Sequence, residues 1–340
     1  MLIKKGANLN RRSVLAMIGG GASAAFVPGV VDAASPLGPV LPMWQPGMLD
    51  IHHISTGRGN CALLIFPDGT TAMVDAGANN SDPLYMISPK PNGSRRAGEW
   101  LGRYAKRHLR AAGRQEIDYF ILTHLHDDHM GMVYPGLPFG PDKTYRLTGV
   151  SDVEEIVPIR RFIDRDAPTY AYPAPQTNVS ALNYIAFLKY QATIGKTVER
   201  FKPGSDSQIN MLRNAPDYQG FHVRNLAANG EVWTGAGTET QKHFPDLASL
   251  KSDDYPTENM CSLALKVSYG KFDYYTGGDL SNFNNYGAEP WRDIETPVAQ
   301  AAGPVEVAVV NHHGYADAAG PGFVSALRPK EFIIESPIRN

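Results

Sequence analysis

The sequence predicts an α/β fold, and three observations carry that reading. Short apolar runs of strand length alternate with segments of helical period. Apolar residues make up 43% of the 340-residue chain and charged ones 19%, enough to bury a sizeable core and too apolar for a disordered state. The 33 glycines and 26 prolines suit a loop-rich enzyme better than a helical bundle. At ~150 residues per domain, the length fits about two domains or one large α/β domain. The formal charge of -2, from 32 basic and 34 acidic residues, excludes a dedicated nucleic-acid coat and a polybasic membrane binder. Two cysteines, Cys61 and Cys261, are too few for a disulfide scaffold or a cysteine-rich zinc module. With ten histidines, any metal site is expected to use imidazole and carboxylate.

The first 33 residues read as an export signal. Lys4, Lys5, Arg11 and Arg12 precede an apolar, small-residue stretch from Val14 to Val31, and Asp32-Ala33-Ala34-Ser35 offers a cleavage point. The string Asn10-Arg11-Arg12-Ser13-Val14-Leu15 resembles a twin-arginine signal. That resemblance implies export of an already folded chain, its prosthetic group in place, by the twin-arginine (Tat) machinery to the periplasm or beyond. An uncleaved anchor is the alternative, disfavoured by Gly19, Gly20, Gly21 and Pro28. No other segment reaches the ~18 consecutive apolar residues of a membrane span, so none is expected in the mature form.

Residues 34–48, with Pro36, Pro39, Pro42 and Pro46, read as an extended linker, and residues 49–340 as the folded domain. Met48–Ile54 alternates as a strand does. Cys61–Phe66 is a buried apolar run, Pro67-Asp68-Gly69-Thr70 a turn, and Thr71–Asp75 a further strand closed by Ala76-Gly77. Residues 97–112 place Trp100, Leu101, Tyr104, Ala105, His108 and Leu109 at helical spacing. Ile117–Leu122 is a strand that delivers Thr123 and His124. Residues 135–255 are rich in Pro, Tyr and Asn, with one helix from about Val179 to Gln191, and are read as an insertion. Strands resume at Cys261–Val267 and Phe272–Tyr275, and Val305–Val310 and Glu331–Ile334 complete the set. No repeat of 20–50 residues is visible.

The chemistry falls at strand ends. Thr123-His124-Leu125-His126-Asp127-Asp128-His129 holds three imidazoles and two carboxylates within six residues, directly after an apolar strand. Core packing does not produce such a string. A turn there lets His124 and His126 bind one cation while Asp128 and His129 face a second. Tyr275-Thr276-Gly277-Gly278-Asp279 sets a carboxylate beyond a strand, and Val309-Val310-Asn311-His312-His313-Gly314 does the same with imidazoles. Together they offer a bridging carboxylate and a further nitrogen ligand, as a two-metal site requires.

The string around His124–His129 is similar to the His-x-His-x-Asp-His signature of the metallo-β-lactamase superfamily. Asp75 in Val-Asp-Ala-Gly resembles that family's first motif, an aspartate that supports the metal loop. Asp279 matches its bridging aspartate, and His312-His313-Gly314 its last histidine motif. Gly57–Ile65 and Asn259–Leu263 resemble the subgroup that contains the hydrolase domain of competence DNA-uptake proteins. The resemblance covers about Leu49–Asn340 without the middle segment. It implies an αββα sandwich, with two mixed sheets face to face, helices outside and the site at one edge.

It also implies two divalent cations, zinc first, with manganese or iron as alternatives. His124, His126 and Asp279 would hold one cation. Asp128, His129, Asp279 and one of His312 and His313 would hold the other, with His313 favoured because it precedes glycine. Asp128 would orient a metal-bridging hydroxide or relay a proton. Hydrolysis of a phosphodiester, in a small molecule or polymer with no obligate nucleic-acid partner, is the expected activity. A lactone or β-lactam hydrolase and a catalytically weak, metal-stabilised binding protein are the alternatives.

The chain departs from the family at three places. Where most members carry a third histidine for the first metal, this sequence has Asn259; His222 and His243 are the candidate substitutes. His126 stands where the competence-type subgroup has aspartate, and Gly57-Arg58-Gly59-Asn60 lacks one carboxylate of the subgroup's string. The chain stops soon after Ile334, as a short version or a fragment would. Cys61 and Cys261 read as buried small residues, with a disulfide as the alternative. Tyr170, Tyr172, Tyr184, Tyr190 and Trp233 read as packing residues rather than a base-stacking platform. Arg95-Arg96 and Arg160-Arg161 read as solvated pairs that could hold a phosphate.

Overall fold

The computed structural model describes residues 42–80 and 87–336, so the predicted signal and most of the proline-rich linker lie outside the described residues. In chain order, the first half runs β1 (Asp50–His53), β2 (Ala62–Ile65), β3 (Thr71–Val74), α1 (Ala97–Ala111), β4 (Ile117–Leu122), α2 (Asp127–Met130), α3 (Val150–Ile156), β5 (Ile159–Asp164), α4 (Val179–Thr193) and β6 (Thr197–Arg200). The second half runs β7 (Phe221–Ala228), β8 (Glu231–Trp233), β9 (Thr240–Lys242), β10 (Ala264–Tyr269), β11 (Phe272–Thr276), α5 (Glu295–Ala302), β12 (Val307–Val309), α6 (Pro321–Leu327) and β13 (Glu331–Ile333). One sheet has the order β1-β2-β3-β4-β5-β6 and the other β13-β12-β11-β10-β7-β8-β9.

Strand periodicity builds four layers from this order, because successive side chains point to opposite faces. In the first sheet Ala62, Leu64, Ala72, Val74, Tyr119 and Ile121 face the second sheet, where they meet Val223, Leu265, Val267, Tyr274 and Val307. The intervening Leu63, Met73, Phe120 and Leu122 face outward against α1, α3 and α4, through residues such as Leu101, Ala105, Val153 and Phe187. On the far side, Ala264, Tyr275 and Ala308 pack against Val298, Ala299, Phe323 and Leu327 of α5 and α6. This is the αββα sandwich of the metallo-β-lactamase fold. Among the described residues, no helix is long and apolar enough to cross a membrane.

Local signals fix the helices. Leu101, Ala105 and Leu109 recur at i, i+4 and i+8 on the buried face of α1. Glu99 returns to accept from the Arg96 amide at 2.9 Å and closes the first turn of α1. The Asn178 side chain caps α4 by accepting from Ser180 and Ala181 amides.

The reading of 135–255 as an insertion needs correction. β5 and β6 extend the first sheet and β7 pairs with β10 in the middle of the second, so the segment is integral to the sandwich. Its strands escape a period-2 reading. β5 sets Arg160 and Arg161 side by side after Ile159, and β7 alternates only over Phe221–Arg224 before the buried run Asn225–Ala228. Cys61 and Cys261 are both buried and free, which removes the disulfide alternative.

Candidate metal centre

The parallel pairs β3–β4 and β11–β12 end on one rim of the sandwich, and each end projects a ligand-bearing turn. After β3, Asp75 adopts φ 59°, a left-handed conformation that costs a non-glycine residue energy and is kept where the surroundings impose it. Its carboxylate accepts from the Thr123 amide and hydroxyl, both at 2.8 Å, and from Nδ1 of His129 at 2.7 Å. Asp75 thereby ties the end of β4 to the metal loop and fixes the His129 tautomer, leaving Nε2 as its free nitrogen. Gly77 lets the loop close on this turn: a Cβ there would lie 2.0 Å from the Asp128 carbonyl.

Two groups of potential ligand atoms result. His124, His126 and Asp279 form one, and Asp128, His129 and His313 the other; within each, the atoms lie within 4.8 Å of one another. Asp279 touches both. Its Oδ2 is 3.5 Å from His124 Nε2 and 3.4 Å from His313 Nε2, and its Oδ1 is 3.2 Å from His129 Nε2. Gly278 allows this approach, since a Cβ there would sit 2.7 Å from Thr123 Cβ. Asp128 Oδ2 lies 3.1 Å from His313 Nε2.

The Asn311–Gly314 turn separates the two histidines left open by the sequence. His312 and His313 both have positive φ, which throws their rings apart. His313 donates Nδ1–H to the Glu335 carbonyl at 2.7 Å and turns Nε2 into the site. His312 pairs Nδ1 with Asp317 at 2.7 Å, so its Nε2 accepts from the Asn259 amide at 3.0 Å. His312 is thus a neighbour of the centre rather than a member of either group. Asn259 keeps its Oδ1 buried and unpartnered. His222 is exposed on β7, and His243 lies against the Phe244 ring with its Nε2 buried and unpartnered; neither joins the groups.

The residues fit a pair of cations. His129 Nε2, His313 Nε2, Asp279 Oδ1 and Asn259 Oδ1 are all buried without a hydrogen-bond partner. Each orphaned atom costs about 1–3 kcal/mol. Asn259 Oδ1 meets no partner at all, and the other three atoms meet only one another, Asp279 Oδ2 and Asp128, as ion pairs. Coordination removes that cost, and a set of imidazole and carboxylate donors suits Zn²⁺, Mn²⁺ or Fe²⁺. Burial would lower His129 and His313, but the carboxylates of Asp279, Asp75 and Asp128 outweigh it. They hold His129 well above its ordinary value and His313 up to about 10, so that a cation displaces a proton from each. Burial alone would raise the Asp279 carboxyl, but His129 and His124 outweigh it and hold it well below its ordinary range. Burial keeps the His124 imidazole well below its ordinary value, and therefore neutral, as a ligand must be.

Two supports were not singled out from sequence. Glu258 Oε1 accepts from the amide of Leu125, between His124 and His126, at 2.8 Å. The same carboxylate takes a two-pronged ion pair from Arg165, at 2.7 and 2.5 Å. Arg165 is fully buried and also reaches the Tyr172 carbonyl and Asn229. A visible signal existed: Asp164-Arg165-Asp166 is a charged triplet at the end of an apolar strand. Elsewhere Arg160 and Arg161 pair with Asp118 and Glu199, and Tyr170 and Tyr184 bond Asp164 from within the core.

Fold and site together set two groups of potential metal ligands on strand ends. Residues 55–135 match the family model of the metallo-β-lactamase superfamily. No curated protein matches the chain. Among solved structures it is similar to CmlA, a diiron β-hydroxylase from Streptomyces venezuelae, at 13% identity and a TM-score of 0.41, covering 82% of this chain and 43% of that one. This chain thus spans less than half the length of CmlA. It is also similar to a mutant metallo-β-lactamase from Cronobacter sakazakii (14% identity, TM-score 0.36, 79% of each chain). A diphosphatase of the PhnP family shares 10% identity, with a TM-score of 0.31, over 80% of this chain and 71% of its own.

Proposed function

We propose that this chain is an exported, metal-dependent hydrolase of phosphodiesters. The observation that carries the reading is Asp279, whose two oxygens face His124, His129 and His313 and so link both ligand groups. A protein that only binds metal for stability has no use for a shared carboxylate at an open rim. His124, His126 and Asp279 would hold one cation. Asp128, His129 and His313 would hold the other with the same Asp279. When bound, the pair supplies Lewis acidity toward a phosphoryl oxygen and lowers the pKa of water from ~16 toward ~7. Zinc is the cation the reading favours.

The chain's own groups do the positioning. Asp75 and the Glu335 carbonyl hold the imidazoles of His129 and His313 in one tautomer. Asp128, with a fifth of its side chain exposed, stands where it can orient a water and take its proton. The resemblance of Gly57–Ile65 and Asn259–Leu263 to the competence-type subgroup supports the phosphodiester over the lactone or β-lactam.

Metal analysis of the purified protein with a screen of phosphodiesters, lactones and β-lactams tests this reading. Two cations per chain and phosphodiester turnover are expected. Turnover of lactones alone overturns the substrate class, and two bound cations without turnover of any class overturns the hydrolase. For export, Arg11-Arg12→Lys-Lys should leave the folded protein in the cytoplasm; unchanged export removes the twin-arginine route.

A further inference from the structure

Beside the metal loop lies a cavity of about 350 Å³ with a strongly basic lining. Arg58, Lys90, Arg95 and Arg96 all border it, together with Thr56 and the amino-terminal end of the 15-residue α1. Its wall is continuous with the metal loop. The Arg58 carbonyl accepts from Asn79, the Asn60 amide donates to the Asp128 carbonyl at 2.8 Å, and the Ala78 amide donates to the Asp127 carbonyl at 3.2 Å.

The charges are not neutralised from within. Arg96 is committed to Asp152 at 2.6 Å, and Glu99 accepts from the Arg96 amide. Arg95 approaches Glu99 no closer than 3.9 Å. Arg58 and Lys90 have no carboxylate partner among the described residues, so four cations at the cavity face two carboxylates, Glu99 and Asp152. Thr56 is 3% exposed, and its hydroxyl is buried without any hydrogen-bond partner. An orphaned donor, surplus positive charge and a helix amino terminus together describe the needs of a tetrahedral oxyanion.

We propose that this cavity is an oxyanion subsite that holds a phosphate group. The group is either a second, non-reacting phosphate of the substrate or free inorganic phosphate. The first source rests on the reading of the metal centre as a phosphodiester hydrolase; the subsite itself does not. Arg58 and Arg95 form charge-assisted bonds to its oxygens, and the Thr56 hydroxyl donates a further one. The cavity exceeds the volume of one phosphate, so the group that carries it has room to extend.

Calorimetric titration of the full, metal-loaded chain with inorganic phosphate tests the subsite, and tungstate soaked into crystals locates the bound oxyanion. Heavy-atom density between Arg58, Arg95 and Thr56 is expected. The double variant R58Q/R95Q should weaken this binding by about tenfold or more, with metal content unchanged. T56V, close in shape to the native side chain, guards against misfolding of the double variant and should weaken binding by about threefold. Superposing isotherms for wild type and both variants, or tungstate at the metal ligands alone, overturns the proposal.

Kinetics then separate the sources. If the phosphate belongs to the substrate, R58Q/R95Q lowers kcat/KM about tenfold more for a diester bearing a second phosphate than for one without. An unchanged ratio with weakened phosphate binding assigns the subsite to free phosphate. Phosphate held at Arg58 and Arg95 by a protein that cleaves no phosphodiester removes the proposed reaction and keeps the subsite.

Discussion

In the Asp128–His129–His313 half of the metal centre, both imidazoles have Nδ1 tied down, His129 by the Asp75 carboxylate and His313 by the Glu335 carbonyl, each at 2.7 Å. The His124–His126 half has no such locks. His124 Nδ1 meets only the Thr123 hydroxyl at 3.2 Å, and His126 Nδ1 leans on His124 Nε2 at 3.0 Å. His129 and His313 are buried, whereas His126 is only partly so. What orients the first half is the backbone: Glu258 grips the Leu125 amide between its two histidines. One half is therefore preorganised at its side chains and the other only at its turn. Preorganised ligands bind metal more tightly, so the two halves should differ in affinity.

Asp279 belongs to both halves, and its loss has the largest expected effect. Asp279→Ala should release both cations and cut turnover at least about a thousandfold. Two retained cations and a near-native rate would show that the halves are independent sites with no shared carboxylate. The next effect is confined to one half. Asp75→Asn keeps a residue that tolerates positive φ but removes the charge behind His129. It should weaken the second cation by about 10–100-fold and leave the first in place. Equal weakening of both, measured by metal titration, would break the comparison.

Glu258→Gln probes the opposite half. It retains an acceptor for Leu125 but strands the buried Arg165 guanidinium, whose loss of partner costs about 3–5 kcal/mol. The melting temperature should fall, and the first cation alone should bind about tenfold more weakly. Loss confined to the second cation would reverse the assignment of the two supports.

Much of this was legible in the sequence, and the rest was not for physical reasons. His124, His126, Asp128 and His129 are local, because one turn after one strand carries them all. Asp279 and the histidine pair could be placed because each follows an apolar run that reads as a strand. The choice between His312 and His313 is not local: it depends on Asp317, Asn259 and the Glu335 carbonyl, which meet only when β12 and β13 pair. Arg165 and Glu258 stayed hidden for a related reason, since 93 residues separate them and a charged residue in a loop reads as solvated surface. The middle segment hides its strands because two arginines stand side by side in β5 and because β8 and β9 are only three residues long.

The smallest expected effect is also the sharpest test of the asymmetry. In the first half, the chain supplies two imidazoles and the shared Asp279. An uncommitted donor on the adjoining turn is Asn259 Oδ1, buried and without a partner. Asn259 follows Glu258, which holds the Leu125 turn, and its amide holds His312, whose own backbone bonds Gly278. A neutral amide oxygen is a poorer donor to Zn²⁺ than imidazole, so the first cation should leave first. Chelator titration is expected to show two steps, with activity lost in the earlier one. Asn259→His offers a third imidazole at the price of the hydrogen bond to His312. It should tighten the weaker step severalfold and draw the two together. His222→Ala and His243→Ala should change neither step, because neither side chain belongs to either ligand group. If either alanine variant loses metal while Asn259→His leaves both steps where they were, the first cation is completed from the middle segment. Asn259 would then serve only to hold His312, and the difference between the halves would have to be sought in Thr123 and Glu258.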